Sequence, residues 1–319
     1  MQAILAVTVP FFALVLCGYL AGLSRVLPEA TIPGLNLFVL YFALPCLLFR
    51  FGASLPVAQI VNPTVIAVTL VTAVILVFVT IALTRSSVPM KDAALGALTV
   101  VWPNTGFMGV PLLAALLGPA AAGPVITTLL VDLFFTSSLC IALAQSSPGS
   151  AGERLNVGRL LKGTLTNPLP SAIGLGLLVS ALGVRLPGPI DTIVRMLADA
   201  ATPVALFTIG TVLWRAGQHV HNRTPVRQFL PLALAKLIAH PLVVMALGTA
   251  TIKLGLPLDS STLTVLVLAA ALPSASAVSL LAERYGADNG RITRVIISST
   301  VMAFVSFSVL AWVFQVRPR

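Results

Sequence analysis

The sequence WPNTGFMGVP, residues 102–111, lies in the middle of an apolar run that extends from residue 91 to residue 117. Proline removes a backbone N–H donor and clashes with the preceding helical turn, and glycine weakens a helix further. We therefore expect the helix that forms this run to break just after Pro103, close to its midpoint.

The composition places this broken run in a membrane protein. Of the 319 residues, 58% are apolar and 9% are charged, whereas soluble domains carry about 25% charged residues. This excludes a soluble enzyme, a disordered chain and a disulfide scaffold. Ten apolar windows approach the roughly 20 residues that a membrane helix needs, which predicts an all-α polytopic protein with ten spans. The windows are residues 2–22, 34–51, 62–84, 91–117, 120–145, 167–184, 191–214, 227–254, 261–284 and 291–316.

A second interruption, LPSAS at residues 272–276, divides the ninth window as WPNTG divides the fourth. Unwound backbone is tolerated in a membrane only where it lines a cavity or is buried in protein. The half-helices that begin after Pro103 and Pro273 would direct free N–H groups and positive dipole ends towards the middle of the protein. Two such ends predict an anion site without a formal cation. The alternative is that both prolines merely kink packed helices.

Further matches indicate an internal repeat. The pattern A-x-P-x-x-L-F occurs at residues 43–49 in window two and at residues 201–207 in window seven, and Pro10 and Pro170 lie near the starts of windows one and six. These matches divide the chain into a first five-helix repeat (1–145), a linker (146–163) and a second five-helix repeat (164–319). An odd number of spans per repeat inverts the second copy, and inverted repeats are typical of secondary transporters.

The basic residues predict an orientation rather than a nucleic-acid partner. They lie singly between apolar runs, although the net charge is +10. With both termini outside, twelve Lys and Arg residues fall on the inner side and six on the outer side, with Lys236 inside a span. The linker is then cytoplasmic. We interpret the N-terminal run as a permanent helix rather than a cleaved signal.

At these residues the sequence resembles the auxin efflux carrier family over essentially its whole length. The most specific stretch is NTGFMGVPL at residues 104–112, followed by ALP at 271–273 and ERYGAD at 283–288. FALP at 42–45 and FTIG at 207–210 add to the likeness. The short linker and the Ser274-Ala275 pair differ from the plant auxin carriers.

The resemblance implies how such a chain folds and works. Helices four and nine are broken and cross at the middle, helices one, two, six and seven form a scaffold with a homodimer surface, and helices 3–5 and 8–10 form the moving transport part. Family members carry organic anions, and bacterial ones of this size are often malonate carriers of the cytoplasmic membrane. Alternative substrates are auxin-like aromatic acids or other monocarboxylic acids.

Several side chains are candidates for the substrate site. Asn104, beside the helix break, is expected to hydrogen-bond a substrate carboxylate, and its alternative role is an N-cap on the second half-helix. Gly106 would permit close approach of a ligand to the backbone. Other expected neighbours at the crossing and in an apolar wall on helix two are Pro103, Thr105, Pro273, Ser274, Ala275, Tyr41, Phe42 and Cys46.

Ionisable residues within spans are candidates for coupling or gating because burying charge is costly. They are Asp132, Asp199, Lys236 and His240. Structural roles are the alternative for each: Asp132 as a hydrogen-bonded carboxylate, and Asp199 as the partner of Arg195 four residues before it. Proton coupling, sodium coupling and uncoupled transport all stay open.

Other functional classes have little support in the sequence. No hydrolase, metalloprotease or nucleotide-binding motif occurs, so we expect neither an enzyme nor ATP-driven transport. We also expect no cofactor and no metal, since the H-x-H at His219 and His221 lacks further ligands. A channel or membrane receptor is a remote alternative. The sequence thus favours a secondary carrier of small organic anions that works by alternating access.

Overall fold

The computed structural model describes residues 1–146, 168–184, 186–218 and 224–316. Nearly all of the predicted linker, and the H-x-H at His219 and His221, lie outside these residues. The described part is helical throughout, and its only extended pairing is one isolated β-bridge. The prediction of an all-α polytopic protein is confirmed at this level.

The helices follow one another with short connections. In chain order they are α1 (Gln2–Leu23), α2 (Thr31–Ser54), α3 (Pro63–Thr84), α4a (Met90–Val101), α4b (Thr105–Leu117), α5 (Pro119–Gln145), α6 (Pro168–Leu182), α7 (Gly188–Gln218), α8 (Val226–Lys253), α9a (Ser260–Ala270), α9b (Ala277–Arg284) and α10 (Asn289–Val313). Seven segments within the described ranges are long and apolar enough to cross a membrane, namely α1, α2, α3, α5, α7, α8 and α10. Three shorter helices, α4b, α6 and α9a, are also apolar.

Large apolar side chains cover much of the outside of the protein. Leu83, Met196, Val301 and Trp312 each have more than half of their surface exposed. A soluble protein rarely presents so many large exposed hydrophobic groups. In a bilayer the lipid tails cover them, so the outer surface agrees with a multi-pass membrane protein.

Glycines allow two pairs of helices to pack with their backbones in contact. In the α1–α7 pair, a Cβ added at Gly18 would lie 1.9 Å from the Phe207 carbonyl oxygen, and one added at Gly210 would lie 1.9 Å from that of Val15. In the α2–α6 pair, a Cβ at Gly176 would lie 2.4 Å from the Phe49 carbonyl oxygen. Small residues at helix contacts are the usual means of close packing in membranes, where the hydrophobic effect does not drive helices together.

Several long helices contain a single π-helical turn. These turns are Val39–Ala43 in α2, Thr105–Gly109 in α4b, Asp132–Thr136 in α5 and Ala235–Ala239 in α8. A π turn disturbs the regular hydrogen-bond ladder and occurs frequently at functional sites. All four contain residues that the sequence marks as candidates, among them Tyr41, Thr105, Asp132 and Lys236.

The α2–α6 contact predicts the effect of adding one methyl group. Gly176→Ala is expected to destabilise the protein by about 1–3 kcal/mol because its Cβ overlaps the α2 backbone. Gly174→Ala is the matched control: it lies on the same helix with no atom within 4 Å of the added Cβ. Thermal unfolding in detergent should show a lower Tm for Gly176→Ala alone. Equal Tm values for the two variants would contradict the close contact.

Candidate functional site

The two broken helices meet backbone to backbone. Pro103 and Ser274 form an antiparallel β-bridge. The Asn104 N–H donates to the Pro273 carbonyl at 2.9 Å, and the Ala275 N–H donates to the Trp102 carbonyl at 2.9 Å. Each break therefore satisfies donors and acceptors of the other, which resolves the cost of unwound backbone in an apolar environment.

The position of the first break follows from the proline. A residue that precedes proline is displaced from the α region by the proline ring. Trp102 accordingly has φ −97° and ψ 99°, and ends α4a in an extended conformation. Leu272, which precedes Pro273, lies at the corresponding place in the second break.

The side chain of Asn104 is buried and has no hydrogen-bond partner. It is 4% exposed, and within the described residues its amide forms no hydrogen bond. It does not cap α4b, because only its backbone carbonyl accepts from the N–H groups of Met108 and Gly109. The capping alternative for this side chain is therefore not observed. The amide keeps both donors and its acceptor for a ligand.

Backbone donors lie beside this amide and across the crossing. In the first turn of α4b, the N–H groups of Gly106 and Phe107 have no acceptor among the described residues. At the start of α9b the same holds for Ser276 and Ala277. Helix starts of this kind attract negative charge. The crossing thus combines an unpaired amide with two sets of backbone donors.

Two other predicted site residues form hydrogen bonds within the crossing, and their contact with a substrate stays a prediction. The Ser274 hydroxyl donates to the Thr99 carbonyl at 2.7 Å, and the Ser274 N–H donates to Ser299 Oγ at 3.2 Å. The Thr105 hydroxyl points back to the Pro103 carbonyl at 3.5 Å. These contacts fix the geometry of both breaks. Thr99 and Ser299 carried no signal in the sequence that distinguishes them from other small polar residues.

Gly109, which is not among the predicted site residues, makes a closer protein contact than Gly106, and close approach of a ligand at Gly106 stays a prediction. A Cβ at Gly106 would meet Leu129 at an ordinary 3.6 Å, whereas one at Gly109 would lie 2.8 Å from Leu272 Cδ1. Gly109 therefore lets the second break pack against α4b. The N-T-x-x-x-G spacing contains this glycine, but the spacing does not identify its neighbour.

The predicted apolar wall on α2 lies on a π turn and just after it. Tyr41 and Phe42 have 54% and 55% of their surface exposed, and Cys46 is half-buried. Both aromatic rings therefore lie at the outer surface of the protein. A contribution of these residues to substrate binding stays a prediction.

Asp199 has a different partner from the predicted one. Its carboxylate lies 3.6 Å from the Arg50 guanidinium on α2, and this is the one salt bridge among the described residues. The predicted Arg195–Asp199 pair is wrong. A base placed before an acid at this spacing is the less favourable order along a helix, and Arg50 reaches Asp199 from the neighbouring helix.

Lys236 and His240 are in contact in the interior, and Asp132 lies within electrostatic reach of Lys236. Their exposed fractions are 0%, 6% and 1%. Lys236 Nζ lies 2.7 Å from His240 Nδ1 and donates to the Ala270 carbonyl at 2.9 Å. The Thr136 hydroxyl donates to Asp132 Oδ1 at 3.1 Å, and Asp132 Oδ2 is buried without a partner. We call these three residues the buried triad.

A second charged cluster, which the sequence did not reveal, joins three helix starts. Arg291, at the start of α10, is 3% exposed. Its Nε donates to the Gln228 carbonyl of α8 at 2.9 Å, and its Nη1 donates to the Asp92 carbonyl of α4a at 3.3 Å. The Asp92 carboxylate in turn accepts from the Asp288 N–H at 2.8 Å. The network holds one end of α4a, α8 and α10 together.

A cleft of about 810 Å³ opens at the opposite end of these helices. Gln59, Asn62, Asp259 and Thr262 contribute polar groups to it, and it contains none of the predicted site residues. Asp259 caps α9a by accepting from the Thr262 N–H at 2.9 Å, and it accepts further bonds from the hydroxyls of Ser261 and Thr262. Partial burial raises the pKa of this carboxyl, but the hydrogen bonds outweigh that effect and lower its pKa to about 2.

Comparisons with known proteins agree with one another. Residues 3–311 match the model of a protein family described as "Membrane transport protein". A protein of Rhizobium meliloti (strain 1021) named "Putative malonate transporter" is 27% identical, over 99% of this chain and 97% of its own length. The "Uncharacterized transporter YfdV" of Escherichia coli (strain K12) is 25% identical, over 97% of this chain and 96% of its own length.

The Asp259 cap predicts a pH-dependent contribution to stability. Asp259→Ala is expected to cost about 1 kcal/mol at neutral pH because it removes the cap of α9a. Since the folded-state pKa is lower than that of an unfolded chain, this contribution is present above about pH 4 and is lost as the pH falls towards 2.

Thermal unfolding of both proteins between pH 7 and pH 2 measures this difference. The gap in Tm between wild type and Asp259→Ala should narrow below about pH 4. Asp259→Asn is the control, because asparagine also caps helices but does not titrate. A gap that stays constant to pH 2 would contradict the lowered pKa of this carboxyl.

Proposed function

The chain belongs to the membrane transport protein family, the auxin efflux carrier family, and from this premise we propose that it is a secondary carrier of small organic anions. The preferred substrates are dicarboxylates such as malonate, bound where α4 and α9 cross. The observation that carries this proposal is the buried, unpaired amide of Asn104 beside backbone N–H groups without acceptors.

The donors at the crossing suit a carboxylate. An amide NH₂ and two free N–H groups at the start of α4b provide hydrogen bonds and the positive end of a helix dipole. The start of α9b provides a second pair of free N–H groups. A dicarboxylate can place one carboxylate at each helix start, which a monocarboxylate cannot do. The name of the Rhizobium meliloti relative supports malonate as the first substrate to test.

We propose further that the chain consists of two inverted five-helix halves with ten spans. The bridge at the crossing relates Pro103 to Ser274 as a local two-fold axis would, in a register one residue away from the alignment of Pro103 with Pro273. The glycine contacts join α1 to α7 and α2 to α6. In an inverted repeat α1 corresponds to α6 and α2 to α7, so the two contacts are equivalent. Together α4a with α4b, α9a with α9b, and α6 add three spans to the seven long ones.

In this architecture the closely packed helices α1, α2, α6 and α7 form the scaffold. Helices α3–α5 and α8–α10, joined at one end by the Arg291 network, form the transport part. Alternating access then consists of movement of the transport part against the scaffold around the crossing. Both termini lie outside a bacterial cytoplasmic membrane, and the exposed scaffold face provides a homodimer surface.

The proposal predicts a loss of substrate affinity when the amide of Asn104 is removed. Hydrogen bonds to a charged group contribute about 1.5–3 kcal/mol, so Asn104→Ala is expected to bind malonate about 10- to 100-fold more weakly. Uptake of labelled malonate into proteoliposomes measures this effect. Asn36→Ala is the matched control, because Asn36 lies in α2 away from the breaks.

Competition with unlabelled acids decides the substrate class. Dicarboxylates should block uptake, whereas aromatic and monocarboxylic acids should not. Uptake of monocarboxylic or aromatic acids alone would overturn the dicarboxylate assignment, and normal uptake by folded Asn104→Ala would overturn the site. Ion currents far above carrier turnover would indicate a channel instead.

A further inference from the structure

The buried triad has no role in the anion site described above, although it contacts both broken helices. Lys236 Nζ donates to the Ala270 carbonyl at the end of α9a. The His240 ring lies close to the Val100 carbonyl in the last turn of α4a. These are the carboxyl ends of the first half-helices, where the helix dipole is negative. The triad therefore contacts the helix ends that precede the two breaks, whereas the proposed anion site lies at the helix starts that follow them.

The hydrogen bonds of the triad are incomplete in a specific way. A lysine ammonium has three N–H donors, and Lys236 has two acceptors, which are His240 Nδ1 and the Ala270 carbonyl. Asp132 Oδ2 has no donor among the residues that the structure describes. The charges of Asp132 and Lys236 act on each other, but the two groups do not form an ion pair. One donor on α8 and one acceptor on α5 are thus left unmatched in the interior.

Burying the unmatched polar groups of Asp132 and Lys236 costs free energy, which a functional role would explain. A buried polar group without a partner costs free energy, and a buried charge costs more. The residues concerned lie in π turns, Asp132–Thr136 and Ala235–Ala239, and π turns occur frequently at functional sites. Asp132 and Lys236 therefore both lack part of their hydrogen bonds, and both lie in a π turn.

Few other ionisable groups face the triad. Helices α3 and α9a, which pack against α8, contain no ionisable residue. On α4a and α10 the ionisable residues are Lys91, Asp92, Arg291 and Arg294, at the helix starts that the Arg291 network joins. Cys140 on α5 lies within the electrostatic reach of Asp132. Proton exchange at this depth is therefore confined to Asp132, Lys236, His240 and Cys140.

We propose that the buried triad is a proton-coupling site, with Asp132 as the group that carries the proton. The Asp132 carboxylate accepts a proton from water on one side to form a carboxylic acid, and releases it to water on the other side after the transport part has moved. One O–H bond forms and later breaks, and no electron is transferred. His240 and Lys236 are positioning residues that connect this carboxyl to both helix breaks.

The coupling is electrostatic, and the inference rests on the proposed function. An anion at the crossing adds negative charge near the breaks, which favours protonation of Asp132. Lys236 interacts electrostatically with Asp132 and donates to the Ala270 carbonyl beside the second break, so it connects the two sites.

Three measurements on proteoliposomes test this assignment: exchange of external labelled malonate for internal unlabelled malonate, accumulation of malonate driven by a pH gradient, and malonate-dependent proton movement reported by an internal pH dye. The membrane potential is clamped, and protein-free liposomes correct for passive entry. With one proton per substrate, a gradient of one pH unit should give about tenfold accumulation.

Asp132→Asn removes the proton-carrying group and keeps the size of the side chain. It is expected to retain exchange but to lose the tenfold accumulation and the proton movement. Asp191→Asn, at the exposed start of α7, is the matched control and should behave as wild type. Accumulation by Asp132→Asn equal to that of wild type overturns the proposal, as does wild-type accumulation driven by a sodium gradient and not by a pH gradient.

Failure of the proposed function has a different signature. Absence of malonate exchange in the wild type indicates that the substrate is wrong, whereas exchange without proton movement overturns only the coupling. If Asp132→Asn does not fold, Asp132→Glu decides. A displaced pH profile of accumulation supports Asp132 as the proton carrier, and an unchanged profile overturns it.

Discussion

The reciprocal pair of hydrogen bonds between Asn104 and Pro273 and between Ala275 and Trp102 is the interaction on which the rest of the structure depends. Within an apolar environment an unsatisfied backbone group costs several kcal/mol. Two broken helices placed separately would each bear that cost. By crossing, each break donates one hydrogen bond to the other, while the N–H groups at the starts of α4b and α9b have no acceptor among the described residues. These N–H groups belong to the proposed binding site.

The surroundings of the crossing divide into two kinds of contact. The α1–α7 and α2–α6 pairs touch through glycines, with backbone against backbone, and such contacts resist relative movement because no side chain can rearrange. The remaining helices are joined by side chains that reach across, such as Arg291 at one end and Ser274 at the middle. This difference provides a physical basis for treating the first group as fixed and the second as the part that moves.

The sequence predicted those features that depend on local chemistry. Proline restricts the residue before it, so the break at Trp102–Pro103 was visible in the sequence, and composition alone identified a helical membrane protein. The sequence did not show which residues on different helices would contact each other. Asp199 pairs with Arg50 from another helix rather than with Arg195, Gly109 packs against Leu272 of the second break, and Ser274 donates to the Thr99 carbonyl. Each depends on which helices become neighbours, which the periodicity of one helix does not specify.

The lysine and histidine that contact the two breaks both come from α8. In the proposed inverted repeat its counterpart is α3, which contains no ionisable side chain. The backbone at the crossing approaches two-fold symmetry, but the charges around it do not. In a carrier built in this way, the inward-open and outward-open forms differ in energy even when the two compartments are identical. An empty molecule would then rest facing one side, and the maximal rate of transport into a substrate-free compartment would differ between the two directions.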